Sequence, residues 1–347
     1  MIIFIIFKFY KMKNKKILIT GGSGFIGTNL VNYLNKKKYI LHNVDKVSYC
    51  STKEKFKIIK NKKYFFHKLN IGNKIRIENL LKKHHFDLII NLASESHVDK
   101  SIDSPYYFIN ENISSTTSFY SSIFNLVKKK KIFSPKIIHI STDEVFGSLK
   151  NDNAKENYLF NPASPYSASK ACTEHIAKIF LKTYGLKISI IRLCNNYGPY
   201  QFTEKFIPNT IVKSMNNLFV PVYGNGKNIR EWMHVNDTCR AIEKVIKNFK
   251  NGENFNIGSG IRVNNIKIIK ILEKNLNKKI NIKFVKDRPA HDLRYSMNSN
   301  KFRLNYRWKC KYDLISGLKD TLNWYTKNLI WLKDTYKSYT GERLGKL

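Results

Sequence analysis

The sequence predicts an α/β fold: a doubly wound parallel sheet with helices on both faces, followed by a smaller C-terminal substrate-binding lobe. Three observations lead there. Short apolar runs alternate with helix-like stretches through the first 195 residues. The first of these runs ends on a glycine cluster. Beyond it, prolines and glycines punctuate shorter elements and the alternation loosens. Alternating strands and helices imply crossover connections and therefore a parallel sheet, with ligands bound along the carboxyl edge of its strands.

Ile17 to Thr20 is the first buried strand, and Leu30 to Leu34 belong to the helix that follows. Leu41 to Asp45, Tyr64 to Lys68 and Leu88 to Leu92 supply three more strands. Ile137 to Ile140 is another, ending at the segment Ser141-Thr142-Asp143-Glu144-Val145-Phe146-Gly147. Ile188 to Leu193 follows a long helix expected over Tyr166 to Tyr184. Later, Pro199, Pro208, Pro221 and the turn Gly224-Asn225-Gly226 mark the second lobe. The expected organisation is an N-terminal extension at 1–15 and a nucleotide-binding domain with the catalytic residues at 16–195. A lobe at 196–330, partly returning to the main sheet, and a tail at 331–347 complete it.

The chain carries 62 Lys and Arg against 25 Asp and Glu, a formal net charge of +37. Such a charge suits nucleic-acid binding, but Lys, Asn and Ile crowd every segment, solvent faces such as Lys128 to Lys131 included. A compositional bias explains that better than an RNA-binding module, so no nucleic-acid partner is expected. Five scattered cysteines, Cys50, Cys172, Cys194, Cys239 and Cys310, form no C-x-x-C motif or Cys/His cluster. They point to reduced thiols, a cytoplasmic setting, and neither disulfides nor a metal site. Met1 to Tyr10 is apolar but shorter than the ~20 residues a membrane span needs. No membrane association is expected, and Met12 is an alternative start that makes residues 1–11 dispensable.

Gly21-Gly22-Ser23-Gly24-Phe25-Ile26-Gly27 joins the first strand to the first helix. Gly21 allows the tight turn, Gly24 lets a pyrophosphate approach the helix N-terminus, and Gly27 permits close helix–strand packing. Asp45 ends the second strand 18 residues after Gly27. A carboxylate there accepts the adenosine-ribose hydroxyls and repels a 2′-phosphate, which selects NAD over NADP. The first domain is therefore read as a Rossmann domain.

Tyr166 and Lys170, four apart, share one helix face. A phenol with a normal pKa of ~10 needs a nearby cation to act as a base. Asp143 and Glu144 can divide acid and base duties, because neighbouring carboxylates raise one another's pKa. Together with Thr142 these groups suit a redox enzyme that also removes water.

The Tyr-x-x-x-Lys element and the glycine motif resemble the extended short-chain dehydrogenase/reductase superfamily. From Lys16 to Lys327 the chain resembles its dTDP-glucose 4,6-dehydratase family. The matching segments are Ser141 to Val145, Leu92 to Asp99, Asn195 to Tyr200 and Arg288 to Tyr295. The resemblance implies that Tyr166 takes the proton of the glucose 4-hydroxyl while NAD takes the carbon-4 hydride. Lys170 lowers the Tyr166 pKa and holds the nicotinamide ribose. Glu144 then removes the carbon-5 proton, Asp143 protonates the departing 6-hydroxyl, and the hydride returns to carbon 6. Thr142 steers the 4-hydroxyl towards Tyr166. NAD contacts are implied for Phe25, Ile26, Lys46, Ser48, Asn70, Ile71, Ala93, Ser94, Asn112 and Asn196, beside the glycines, Asp45, Tyr166 and Lys170. Substrate contacts are implied for Ser96, His97, Asn195, Lys205, Pro221, Tyr223, Asn265, Arg288 and His291. Arg230 is implied to grip the pyrophosphate through its planar fork. For His97 a structural hydrogen-bonding role stands beside the substrate contact.

Three positions depart from the family pattern. Asn70 replaces an Asp, Phe146 a Tyr, and Ala290 a Gly. The family also implies a homodimer and a role in deoxysugar supply, such as rhamnose. Preference for thymine over uracil is not legible. A UDP-glucose 4,6-dehydratase or 4-epimerase is the nearest rival, but an epimerase has no use for Asp143 and Glu144. A basic binding protein on a dehydrogenase scaffold is a remoter one.

Overall fold

The computed structural model describes residues 15–52 and 63–337. Residues 1–14, with the expected N-terminal extension and both candidate start methionines, lie outside the described residues, as do 338–347 of the expected tail.

Runs rich in Ile, Leu and Val become strands that are buried on both faces, as a central parallel sheet requires. The strands are β1 (Lys16–Thr20), β2 (Ile40–Asp45), β3 (Tyr64–Lys68), β4 (Leu88–Asn91), β5 (Lys136–Thr142), β6 (Lys187–Leu193), β7 (Asn195–Tyr197), β8 (Val220–Tyr223), β9 (Ile229–His234), β10 (Asn254–Ile257), β11 (Arg262–Asn264) and β12 (Ile282–Val285). Seven of them form the main sheet in the order β10-β6-β5-β4-β1-β2-β3, every neighbouring pair parallel. This is the doubly wound fold the sequence predicts. The strand order reverses between β1 and β4, and that switch point opens a crevice at the carboxyl edge.

One face packs Ile17, Ile19, Ile90 and Ile138 against Leu30, Val31, Ile242 and Val245 of helices 25–35 and 235–247. The other packs Leu18, Val44, Ile89 and Ile137 against Ile77, Phe119 and Phe180 of helices 74–84, 115–128 and 165–182. A third core, around Ile207, Ile211, Val222, Leu272 and Leu318, belongs to the C-terminal lobe. That lobe holds the small sheets β11-β9-β7 and β12-β8. Residues 331–337, expected within a tail, lie instead in helix Leu329–Lys337, whose Leu332 is buried in this core beside Trp331. Leu332 carries apolar bulk that packing retains, which a reading by position near the chain end overlooks.

The fold also brings together three histidines that lie far apart in the sequence. His42, His67 and His84, from two strands and a helix end, converge with one ring nitrogen from each within 4.8 Å of the others. Their separation in sequence hides this.

Candidate active site

The glycine loop is shaped by what lies behind it. Gly21 has φ +68, and a Cβ there would come within 2.7 Å of the Ala93 nitrogen. A Cβ on Gly27 would meet the Gly21 carbonyl at 2.2 Å, so the helix can sit this close to β1 only without a side chain. Asp45 accepts the Ser23 N–H at 2.9 Å and the Val47 N–H at 2.7 Å. Burial raises its pKa, and these donors offset the rise. Val47 holds φ +62, an uncommon conformation for a β-branched residue, in the turn beneath.

Neighbouring groups complete this half. Lys46 bridges Glu95 and Glu111, each at 2.7 Å. Asn70 accepts the Gly72 N–H at 2.8 Å and turns its amide towards Glu111 at 3.5 Å. A neutral amide therefore stands where an Asp would face a second carboxylate. Asn112, in a π-helical turn over Asn110–Ser114, accepts from Ser94 Oγ and the Glu95 N–H and donates to Ser169 Oγ. Asn196 donates to the Cys194 carbonyl and accepts from Thr238. Asn112 and Asn196 thus spend these bonds on shaping the wall.

The reactive groups gather where β5 ends. Thr142 caps the 3₁₀ turn Asp143–Phe146 by accepting the Glu144 N–H at 3.3 Å, and its hydroxyl donates to Asp143 Oδ1 at 3.2 Å. Asp143 Oδ2 and Glu144 Oε2 are buried with no hydrogen-bond partner. Burial, then the charges of Glu144 and Glu231, holds the Asp143 carboxyl well above its ordinary range. Burial also raises Glu144, against the pull of Arg288, Arg230 and Lys205. Burial thus favours the neutral form of both carboxyls, more strongly in Asp143, while the arginines and Lys205 favour the charged form of Glu144.

Ser164 starts helix 165–182 with a capping box, and Pro165 occupies its first turn. Tyr166, Lys170 and Glu174 follow at i, i+4 and i+8 on one buried face. Burial and the two carboxylates push the Tyr166 phenol well above its ordinary value, while a hydrogen bond with Thr142 draws it down. Lys170 is lowered to about 8 by burial and donates to the Ile140 carbonyl at 2.8 Å. Lys170 stands one turn further along the buried helix face that carries Tyr166. Glu174 pairs with the fully buried Arg192 at 2.7 Å. Phe146, in place of a Tyr, lies edge-on to Tyr158 and Phe160 with the Arg192 guanidinium 5.0 Å from its ring centroid. A hydroxyl in that apolar and cationic packing would need its own partner.

One continuous cleft is walled by Gly21, Gly24, Phe25, Ile26, Gly27, Asp45, Lys46, Ser48, Asn70, Ile71, Ala93, Ser94, Asn112 and Asn196. The same cleft runs on to Thr142, Asp143, Glu144, Tyr166, Lys170, Ser96, Asn195 and Lys205. Its glycine cradle, its strand-end carboxylate and its length from Asp45 to Tyr166 fit a dinucleotide lying with its adenosine at Asp45. Seven expected substrate residues are not part of this cleft's lining. His97 caps helix 98–103 through Nδ1, and burial lowers it to about 2. Tyr223 donates to Asp99 at 2.7 Å, and Arg288 pairs with Asp99 at 3.3 Å. Arg230 donates to the carbonyls of Ile229 and Asp292 and lies over the Tyr295 ring. His291 bonds Asp287, Pro221 sits in β8, and Asn265 opens helix 265–276. Tyr223, Arg230, Arg288 and His291 are engaged by the protein's own carbonyls and carboxylates, partners that sequence motifs do not reveal.

The cleft wall also includes Glu95, Glu111, Glu204 and Cys50, which the sequence reading passed over. Glu95 lies within a matched loop and Glu204 precedes Lys205, so adjacency to a motif was the available signal. Tyr49 donates to Glu204 at 2.6 Å, closing that end of the cleft.

Known proteins share this fold. The family model described as GDP-mannose 4,6 dehydratase matches residues 18–321. A probable dTDP-glucose 4,6-dehydratase of Sinorhizobium fredii is 37% identical over 96% of this chain and 99% of its own length. The dTDP-glucose 4,6-dehydratase of Escherichia coli is 36% identical over 95% and 99%. Among solved structures, the Bacillus anthracis dTDP-glucose 4,6-dehydratase in complex with NAD superposes with a TM-score of 0.84 at 35% identity, covering 92% of this chain and 99% of that one. A Bacillus cereus UDP-glucuronic acid 4-epimerase gives 0.83 at 25% identity, covering 90% and 99%. The backbone alone thus scarcely separates dehydratase from epimerase, and the side chains must.

Proposed function

This chain belongs to the dTDP-glucose 4,6-dehydratase family, and on that premise we propose how its residues divide the conversion of dTDP-glucose to dTDP-4-keto-6-deoxyglucose and water. NAD, when bound along Gly21, Gly24 and Asp45, supplies the chemistry of accepting the carbon-4 hydride and giving it back at carbon 6. Tyr166 removes the proton of the 4-hydroxyl, which Thr142 aligns. The ketone at carbon 4 acidifies the carbon-5 hydrogen, and Glu144 takes that proton. Asp143 delivers its proton to the 6-hydroxyl, which leaves as water. Lys170, charged below about pH 8, supports the nicotinamide ribose and the phenolate.

One observation carries this reading. Two buried carboxyls, each with an oxygen lacking a hydrogen-bond partner, stand beside the Tyr166 phenol in a single cleft. An unpartnered buried oxygen is costly, and a substrate hydroxyl or carbon-bound hydrogen gives it a use. Arg230 and Arg288 already bias the charge of Glu144, and on binding they would turn part of their donor set to the nucleotide pyrophosphate. A homodimer, a cytoplasmic setting and the supply of deoxysugar precursors complete the proposal. Its five cysteines are free, and among the described residues no helix is long and apolar enough to cross a membrane.

The test is incubation with dTDP-glucose and UDP-glucose, reading product mass and alkaline absorbance. Loss of one water with no net cofactor reduction supports the internal redox cycle. Carbon-4 inversion at unchanged mass would sink the dehydratase reading. Glu144→Gln is expected to leave the oxidation of carbon 4 detectable and to block elimination. Equal loss of both steps would overturn the division between Tyr166 and Glu144.

A further inference from the structure

Away from the cleft, the half of the sheet that ends in Asp45 carries a group that the reaction does not use. His42 lies in the interior of β2, His67 near the end of β3, and His84 closes helix 74–84. His42 is opposite Phe65, and Val44 is opposite His67, so His42 and His67 share one face of the sheet. The helix that packs on this face delivers His84. His42 Nδ1 is 3.0 Å from His67 Nε2, and the rings of His42 and His84 are 4.3 Å apart between centroids. Phe65 stacks on His42 at 4.7 Å, and Phe86 meets it edge-on at 5.0 Å.

A hydrogen-bonded pair needs two imidazoles. A third, brought from another element with a nitrogen within 4.8 Å of both, adds nothing to that bond but completes a donor set. We propose that His42, His67 and His84 form a binding site for a divalent transition-metal cation such as zinc, cobalt or nickel. Imidazole nitrogen suits these metals, and three histidines with one open position are an established tetrahedral arrangement. Metal–nitrogen bonds of about 2.0–2.1 Å place tetrahedral ligand nitrogens about 3.4 Å apart. The His42–His67 pair is already near that spacing. The remaining nitrogens need to draw in by no more than about 1.4 Å, within the reach of side-chain rotation.

The rings are in the protonation state that ligation requires. Burial, reinforced by the neighbouring histidines and Lys16, holds His42 down to about 3. Burial likewise lowers His67 and His84, with Lys83 acting on both and Lys16 on His84. Each neutral ring carries one proton. On ligation the donor of the His42–His67 bond moves its proton to its other nitrogen, so two lone pairs face the metal and none is released to solvent. Lys16 and Lys83 oppose a cation, and the ligand set contains no carboxylate or thiolate. The site is therefore expected to be weaker than one with anionic ligands. A bound ion would join β2, β3 and the 74–84 helix at one point.

The test is titration of the untagged, chelator-stripped full chain with cobalt(II) and zinc(II) chloride by calorimetry and visible absorption. One cobalt per chain is expected, with the intense visible bands of a four-coordinate nitrogen and oxygen site and no thiolate charge-transfer band. His84→Ala and His67→Gln should each lower affinity at least tenfold and abolish the zinc-induced rise in melting temperature. His84 is only partly buried, and His67→Gln keeps a polar side chain, so circular dichroism should report an intact fold in at least one variant. Equal affinity in parent and folded variant would overturn the site. So would a thiolate band, or no uptake of either ion at millimolar concentration.

Discussion

Two buried carboxylates on neighbouring elements, Asp143 and Glu174, teach opposite lessons. Glu174 on the catalytic helix is closed off: Arg192 meets both its oxygens through three hydrogen bonds of 2.7–3.1 Å. Asp143 at the end of β5 has one oxygen without a partner and a carboxyl held well above its ordinary range. Glu174 is satisfied and lies on the same helix face as Tyr166 and Lys170. Asp143 is left unsatisfied in the wall of the cleft. Burial alone does not mark a functional carboxylate; burial without satisfaction does.

The contrast can be broken at several places, taken here from the largest expected effect. Tyr166→Phe removes the proton acceptor and should lower kcat/KM by about 10²–10⁴, the usual weight of general acid–base catalysis. NAD affinity, measured by fluorescence titration, should change little. Should turnover survive, the phenol is not the base.

On the structural side, Glu174→Ala strands the Arg192 guanidinium in a site with no solvent exposure. A loss of about 3–5 kcal/mol in urea unfolding is expected, whereas replacing both partners by apolar residues of similar volume should cost far less. A small loss for the single variant would mean that water reaches the pair.

Asp143→Asn should do the reverse, trading activity for stability. A carboxyl whose folded pKa lies above its unfolded value stabilises the fold below the unfolded pKa. That stability is lost as pH rises through the folded pKa. The parent should therefore lose more melting temperature than Asp143→Asn as pH rises from 4 to 8. Parallel profiles would remove the claim that Asp143 is strained by its burial.

Ala290→Gly should have the smallest effect. Ala290 holds φ +49, a left-handed conformation costing about 1–2 kcal/mol in an L-residue. Glycine relieves that strain but returns roughly 0.4–1 kcal/mol of chain entropy to the unfolded state. A net gain of about 1 kcal/mol or less is expected, read as a shift in urea midpoint. A loss would mean that the Ala290 methyl makes contacts worth more than the strain.

What could be read without the structure was local. The apolar runs ending at Thr20, Asp45 and Ile140 read as strands of a buried parallel sheet, because each is short, apolar and bounded by turn residues. The Gly21–Gly27 loop and the i, i+4 spacing of Tyr166 and Lys170 are likewise short-range facts, fixed by a few consecutive dihedrals. The partners of Arg230, Arg288 and Tyr223 are different. Asp292 lies 62 residues from Arg230, and Asp99 lies 189 from Arg288, so nothing in their local sequence signals the pairing.

The same distance law hid the histidine triad and the charges that act on Tyr166. His42, His67 and His84 meet only because β2 and β3 pair in one register and a helix returns its C-terminus to that face. Burial and two carboxylates from the end of β5 raise the Tyr166 phenol, and both arrive only with the packed chain. The sequence by itself determined the fold class, the glycine-rich cradle and which titratable side chains are candidates to move protons, all of which depend on residue type and short spacing. Only tertiary structure decided the charge states of those groups and which side chains are free to meet a ligand. Desolvation and long-range pairing are properties of the packed chain, and neither exists until the sheet has closed around them.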